Sequence, residues 1–272
     1  MNASFVFAEP AFFLTTNNYR RSNMLKTDYA KVSEVYDKNK GRLDFPKDQE
    51  IEKLLEKNGS ATVLDLACGT GNYLLGQKKH YEGKNIRWIG IDLSPEMLDV
   101  AKSKNLEAEF INASAESFDL EEGSVDLVVC NFAFHHFEDK KKCLSKIYAA
   151  LKKGGVLKFR NVEPECMKEW WVYKYCPETY CEDMFRFWPK DLMIYELKKN
   201  NFVNISAKRE YYEKFKPMNE LLENYKRRDT SQLAMIGDEY YNKGLSRVTQ
   251  EASQGESEYK DVIAFLEIRC EE

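Results

Sequence analysis

The residues best placed to do chemistry lie in the first half of the chain. In Val63-Leu-Asp-Leu-Ala-Cys-Gly-Thr-Gly-Asn72 an apolar run leads into a turn with glycine at positions 69 and 71. Glycine has no Cβ, so the backbone of such a turn can approach a ligand closely, and the first amides of the helix that follows face it. G-x-G alone also occurs in ordinary turns, so a second element has to decide the matter. Asp92 ends the next apolar run, 21 residues after Gly71. A carboxylate there can accept both hydroxyls of a ribose, and the two segments together point to an adenosine-like ligand.

Two details bear on which ligand. A dinucleotide-binding turn carries a third glycine where this chain has Leu74. Asp65, four residues before Gly69, would repel a pyrophosphate but can pair with the ammonium of a zwitterionic amino acid. Beyond these, His135 and His136 are two of only three histidines and follow closely on Asn131. Either can serve as a general base or cap the site, and packing beneath the site is the structural alternative. The residues offer no ligand spacing for a metal.

The elements that must position these groups alternate in type. Apolar runs at Thr62–Ala67, Ile86–Leu93, Ala108–Ile111, Val125–Cys130 and Val156–Phe159 read as strands. Helices are expected from Asp48 to Asn58, from Gly71 to about Tyr81, from Ser94-Pro95 onward, and over Asp139–Leu151. Uniformly apolar strands separated by helices imply an α/β fold with a Rossmann-like, doubly wound, mostly parallel sheet covered on both faces. Upstream, Thr27–Tyr36 has the spacing of an amphipathic helix that Gly41 breaks. Downstream, helices are expected over Pro189–Lys199, Met218–Arg228 and Ser231–Val248, with Gly237 and Gly244 as weak points, and strands over Phe202–Ala207 and Asp261–Ile268. Residues 1–26 read as a tail or strap, and 27–272 as a single domain with a binding core at 60–160 and cap elements within 164–255.

The run Val63–Asn72, followed by Ile89-Gly-Ile-Asp-Leu-Ser-Pro-Glu-Met-Leu98, resembles the first two signature motifs of class I S-adenosylmethionine-dependent methyltransferases. The likeness is to the small-molecule and quinone-methyltransferase-like group. It continues in order through Ser114–Leu120, Ser124–Asn131, Phe134-His-His-Phe137 and Leu151–Leu157, covering about residues 60–159. The resemblance implies S-adenosylmethionine as the cofactor. It places Asp65, Ala67, Gly69 and Gly71 at the methionyl end, Asp92 on the ribose, and Leu93 and Met97 against the adenine. Ala115 and Glu116 would lie at the adenine edge, and Asn131 would offer its backbone to the methionine. Ser114 stands where many relatives carry an acid for the adenine amino group. Tyr36, with Lys40 and Arg42, is similar to the segment that many relatives fold over the cofactor carboxylate; a surface helix with one buried tyrosine is the alternative.

Glu165–Trp188 is dense in aromatics and could form an apolar lid. Trp170, Trp171 and Tyr175 are its candidates for contacting an acceptor, and packing of a helical layer on the sheet is the competing role. The net charge of −4 gives no general attraction to a polyanion, and the charged residues of 208–229 mix signs, so nucleic acid is not favoured. Seven scattered cysteines without a C-x-x-C pair indicate reduced thiols and a cytoplasmic setting. The apolar run Phe5–Leu14 is interrupted by Glu9 and Pro10 and is too short to span a bilayer, so no membrane association is expected. The expected activity is methyl transfer to an O, N or C atom of a small organic molecule. A non-catalytic cofactor- or partner-binding protein, an RNA or protein methyltransferase, and an NAD-dependent oxidoreductase are the alternatives, and oligomeric state is left open.

Overall fold

The structure, a computed structural model, describes residues 36–37, 43, 45–228, 230–255 and 258–272. The expected tail at 1–26, nearly all of the expected helix at 27–36, and the positions of Lys40, Gly41 and Arg42 lie outside the described residues. The first helix, α1 (Gln49–Asn58), starts where the Asp48 carboxylate accepts from the Glu50 amide and stops at Gly59, whose φ of 72° suits glycine. From there strands and helices alternate as β1 (Ala61–Leu66), α2 (Asn72–His80), β2 (Ile86–Asp92), α3 (Pro95–Ser103), β3 (Glu109–Asn112), β4 (Val125–Asn131), α4 (Lys140–Ala150) and β5 (Leu151–Val162). Ser94 caps α3 by accepting from the Met97 amide, and Asp139 does the same for α4 through Lys142.

Seven strands form one sheet in the order β3-β2-β1-β4-β5-β7-β6, where β6 spans Val203–Pro217 and β7 spans Glu258–Glu271. The first five are parallel; β7 runs antiparallel to both β5 and β6. Alternate residues of the central strands feed two cores. Leu64, Leu66, Ile89, Ile91, Val128 and Leu157 pack with Leu144 and Ile147 of α4 on one face. Val63, Trp88, Leu127, Val129 and Val156 pack with Ile51, Tyr73 and Leu74 on the other. Burial on both faces is why these strands read as continuous apolar runs.

The last three strands are longer than their apolar runs suggest. β5 continues to Val162, and it pairs with β7 from Val156↔Glu271 to Val162↔Phe265. β6 and β7 pair from Val203↔Glu271 to Pro217↔Glu258, with a register shift between Val203 and Ser206 where Asn204 has φ 49°. Their backbone bonds satisfy each other, so largely charged sequence is tolerated.

Between β5 and β7 lies the cap. It is built from α5 (Trp171–Tyr175), α6 (Glu178–Arg186), α8 (Met218–Arg227), α9 (Ser231–Met235) and α10 (Asp238–Ser253), whereas α7 (Lys190–Lys199) covers the sheet, with Met193 and Leu197 in the first core. The single helix expected over Ser231–Val248 is two: Ile236 leaves the helix in an extended conformation and Gly237 caps the start of α10. A third core gathers Trp171, Tyr173, Tyr175, Leu221, Tyr225, Leu233 and Val248. No helix among the described residues is long and apolar enough to cross a membrane.

Gly244 lies inside α10, where alanine is ordinarily better by about 1 kcal/mol. Here a Cβ would overlap the Tyr225 hydroxyl and lie 2.8 Å from the Tyr175 carbonyl oxygen. Gly244→Ala is therefore expected to destabilise by about 1–3 kcal/mol, read as a lower midpoint in urea unfolding. A variant as stable as wild type, or more so, would show that Tyr225 does not need this space.

Candidate functional site

Parallel pairing sets the site at the carboxyl ends of β1, β2 and β4. Asp65 sits opposite Gly90 of β2 and Val129 of β4, deep in the sheet. Only 2% of it is exposed, and among the described residues nothing hydrogen-bonds its carboxylate. Burial, then the nearby charge of Asp92, pushes its pKa up to about 8. After β1 the chain turns sharply. Ala67, Gly69 and Gly71 all have positive φ, at 59°, 52° and 75°. Ala67 adopts this conformation despite its Cβ, a local cost that the surrounding bonds must offset.

The two glycines serve different ends. A Cβ on Gly69 would meet nothing within 4 Å, so that face of the turn is open. A Cβ on Gly71 would lie 3.2 Å from Ala101 and 3.3 Å from Leu106, so Gly71 lets α3 pack close. Sequence reasoning assigned both to the ligand.

Asp92 closes the turn from the side. One carboxylate oxygen accepts from the Gly69 amide at 2.8 Å and the other from the Ser94 amide at 2.9 Å. Burial raises its pKa, and these backbone bonds oppose the rise. Each oxygen keeps a further lone pair for a hydroxyl group. Next to it Leu93 is 70% exposed, free to cover a planar group, whereas Met97 is buried in the protein. Ala115 is buried, Ser114 shares a hydrogen bond of 2.8 Å with Ser117, and Glu116 accepts from the Glu138 and Asp139 amides. Glu116 thus ties the β3 exit to the start of α4. At the end of β4, the Asn131 side-chain nitrogen is buried with no partner in the protein.

A cluster of polar residues behind the turn was missed. Asp37 accepts from Thr70 Oγ1 at 2.7 Å and Asn72 Nδ2 at 2.8 Å, and pairs with Lys104 at 2.7 Å. Lys104 also donates to the Thr70 carbonyl and to Asn72 Oδ1, both at 2.6 Å. Burial pushes the Asp37 carboxyl up, but bonds from Lys104, Asn72 and Thr70 together outweigh it and hold the group low. Asp37 directly follows Tyr36, which is half-buried, so the segment expected to meet the cofactor does reach the glycine turn. Only the acid in Glu34-Val-Tyr-Asp37 hinted at it.

The paired histidines follow β4 in a short turn, Phe134–His136. His135 stacks on Phe187 at 4.0 Å and lies 3.9 Å from His136. Asn161 Oδ1 accepts from the Val162 amide at 3.0 Å, which turns its Nδ2 toward His135 Nδ1 at 3.2 Å. Nδ1 is then an acceptor, and the proton of the neutral ring is on Nε2. Burial, then His136, Arg186 and Lys140, keep this imidazole far below its usual pKa. His136 falls to about 3, through burial first and then the charges of Arg186 and Lys140.

In the cap, Trp171 packs on Tyr225 at 6.1 Å, and the Tyr175 hydroxyl donates to Glu251 at 2.6 Å. Both are engaged in the cap's own core, which favours the packing role over acceptor contact. Trp170 is buried too, but its Nε1 has no partner in the protein. Among the described residues one trio, Glu163, Glu165 and Cys166, has a metal-compatible spacing; Arg209 already forks onto both oxygens of Glu163.

Comparison with known proteins accords with this arrangement. Residues 63–155 match a methyltransferase domain family. A demethylmenaquinone methyltransferase of Thermus thermophilus is 32% identical over 47% of this chain, and the match spans 61% of that protein. The enzyme of the same name from Lactococcus lactis is 29% identical over 65% of this chain and 71% of its own length. In structure, a methyltransferase from an antibiotic biosynthesis pathway of Anabaena variabilis superposes with a TM-score of 0.61 at 20% identity, over 83% of this chain and 98% of that one. Residues 63–155 thus match a methyltransferase domain, the chain spans less than two thirds of the Thermus relative it matches, and the fold is shared with the Anabaena neighbour.

Proposed function

We propose that this protein transfers a methyl group from S-adenosylmethionine to an O, N or C atom of a small organic molecule. The observation that carries this reading is the buried, unpartnered Asp65 carboxyl beside the open face of Gly69 and the strand-end Asp92. A buried carboxyl without a partner is costly, and a site of this kind is completed by a cationic ligand. The unsatisfied Asn131 nitrogen adds a donor for an anionic or carbonyl oxygen. Ammonium, carboxylate and ribose hydroxyls are the polar groups such a cofactor presents, and these residues match them in kind.

When bound, S-adenosylmethionine supplies a methyl group already activated by its sulfonium. Asp65 and Asn131 would hold the amino-acid end, and Asp92 the ribose. Leu93 and Ala115 would flank the adenine, with Ser114 able to accept from its edge. Tyr36 lies on the segment that meets the turn through Asp37. Little proton chemistry is asked of the chain. His135 has a donor at Nε2 and an occupied Nδ1, and His136 is too weak a base to deprotonate an acceptor of high pKa. Catalysis then rests on alignment and exclusion of water, which the aromatic crevice between Phe134, Phe159, Phe187 and Trp188 supports. Seven free thiols fit a reducing, cytoplasmic setting.

At neutral pH the ligand-free Asp65 is protonated, so pairing with an ammonium must expel its proton. Binding of S-adenosylhomocysteine at pH 7 is expected to release close to one proton, measured as a dependence of calorimetric heat on the buffer's ionisation enthalpy. Asp65→Asn should abolish that release and weaken binding about 10- to 150-fold, the loss of one charge-assisted bond. The raised pKa also fixes the pH dependence of stability. The folded state holds a proton that the unfolded state loses near pH 4, so stability declines as pH rises from there to about 8. Thermal melts of Asp65→Asn should lack that decline; equal slopes would mean that Asp65 is ionised in the free protein.

Asp92→Ala removes the acceptor for two backbone amides as well as the ribose contact. It should lower the melting temperature by several degrees, about 1–3 kcal/mol for the orphaned amides, besides weakening cofactor binding. Asp92→Asn keeps one acceptor oxygen and should lose less of both in the same calorimetric and melting experiments. Wild-type affinity in Asp92→Ala would rule out the ribose assignment.

A further inference from the structure

The residue that follows β4 is strained and exposed at once. Phe132, next after Asn131, has φ 55°, a left-handed conformation that bulky side chains rarely adopt. Its amide donates to the Arg160 carbonyl at 2.7 Å, so β5 holds the kink in place. Yet the side chain is 37% exposed, and burial returns little for the strain. Outliers of this kind gather where ligands bind. Asn131 itself pairs with Arg160 across the strand ends, and its buried side-chain nitrogen is the donor assigned above to the cofactor's amino-acid end. Phe132 therefore stands one residue from the proposed methyl donor.

Its ring opens a row of aromatics. The Phe132 centroid lies 5.7 Å from that of Phe265 on β7, and Phe265 lies 5.4 Å from Tyr212 on β6, each pair meeting edge-on. Tyr212 is 40% exposed, and none of these rings belongs to any of the three cores. Arg160 reaches over Phe265, with its guanidinium carbon 4.9 Å from the ring centre. It pairs with Glu267 and, at 3.5 Å, with Glu210, which Lys208 also meets at 2.6 Å. Two cations and two carboxylates cancel, so the strip beside the rings carries no net charge. The row thus runs from the carboxyl end of β4, where ligands of such sheets bind, outward across β7 and β6.

We infer that Phe132, Phe265 and Tyr212 hold the methyl acceptor, and that this acceptor is an uncharged planar aromatic. This rests on the reading of the protein as a small-molecule methyltransferase. A flat ring meets these side chains face or edge and gains the aromatic attraction as well as the area buried. A saturated ring of the same outline keeps only the area. A charged acceptor would shed water against a strip that offers no net opposite charge. The three side chains bind and orient the acceptor, and none exchanges a proton with it.

The test is carbon-13 NMR of the full-length protein labelled in its phenylalanine rings and saturated with S-adenosylhomocysteine. Calorimetry first establishes that this ligand binds; failure there overturns the cofactor reading, and the same titrations on the free chain then judge the aromatic row alone. The probes are 2-naphthol, its saturated analogue decahydro-2-naphthol, and 2-naphthoate, each taken to millimolar concentration. The Phe132 and Phe265 ring signals are those lost in Phe132→Leu and Phe265→Leu. Should either variant not fold, its signal is identified in wild type by the contact between the two rings. Tyr212→Ala changes an exposed strand position and should weaken 2-naphthol binding about 2- to 12-fold, the worth of one aromatic contact. Saturable shifts of both rings with 2-naphthol, weaker binding of the other two probes, and an Overhauser contact between 2-naphthol and S-adenosylhomocysteine support the inference. No shift of either ring, equal affinity for the saturated or the charged probe, or unchanged affinity in Tyr212→Ala overturns it. Binding to these rings without a contact to S-adenosylhomocysteine overturns the acceptor assignment.

Discussion

A carboxyl group shut inside a parallel sheet governs the organisation of this protein. Asp65 occupies a strand position whose neighbours on both sides are apolar backbone partners, and only 2% of it is exposed. Such a residue is stable only as the neutral acid or beside a cation. Every element around it fits that condition. The strand stops one residue after it, the turn takes strained and left-handed conformations, and Asp92 braces the turn through Gly69. Burying such a carboxyl is a cost to the folded chain of the kind that binding sites commonly carry.

The core of the fold was legible because its strands are buried on both faces. The buried stretches of β1, β2 and β4 are apolar apart from Asp65 and Asp126, and the latter is held by Lys152 and the Thr62 amide; Thr62 and Arg87 lie near the strand starts, where burial is incomplete. The caps at Ser94, Asp139 and Gly59 were equally plain, since each satisfies a helix end locally. Asp65, Gly69 and Asp92 come together by parallel register alone, so their spacing sufficed. Other features depend on contacts distant in sequence. The pairing of β6 with β7 sustains strands that alternate charges, and nothing local marks their length. Asp37 meets Thr70, Asn72 and Lys104 across more than thirty residues, with no period to reveal it. The contact of His135 with the Asn161 amide depends on a residue that no motif contains.

The cap joins the sheet through apolar packing on Val162, Tyr259, Ile263 and Ala264. Its own core closes around Tyr225 and Gly244, distinct from the two cores that flank the central strands. Stacking of Phe187 on His135 spans the seam between them, and the Asp183–Arg186 pair, with Tyr173 and Gln232, ties the cap's own helices together. A buried ion pair contributes little net stability against an apolar equivalent, but breaking it is costly, so it favours one arrangement of the cap's helices over others. Trp171 and Tyr175 belong to the cap's interior.

β6 ends the sheet, and an outermost strand offers unpaired amides and carbonyls to any passing chain. This one is fifteen residues long, ample for another strand to add to it. Its two ends refuse the invitation. Near the start, the kink at Asn204 throws the backbone out of register; at the finish, Pro217 has no amide to give. Between them Lys208, Lys214 and Lys216 would have to shed water against an incoming backbone. These features oppose the addition of another strand along an edge that also exposes Tyr211, Tyr212 and Phe215.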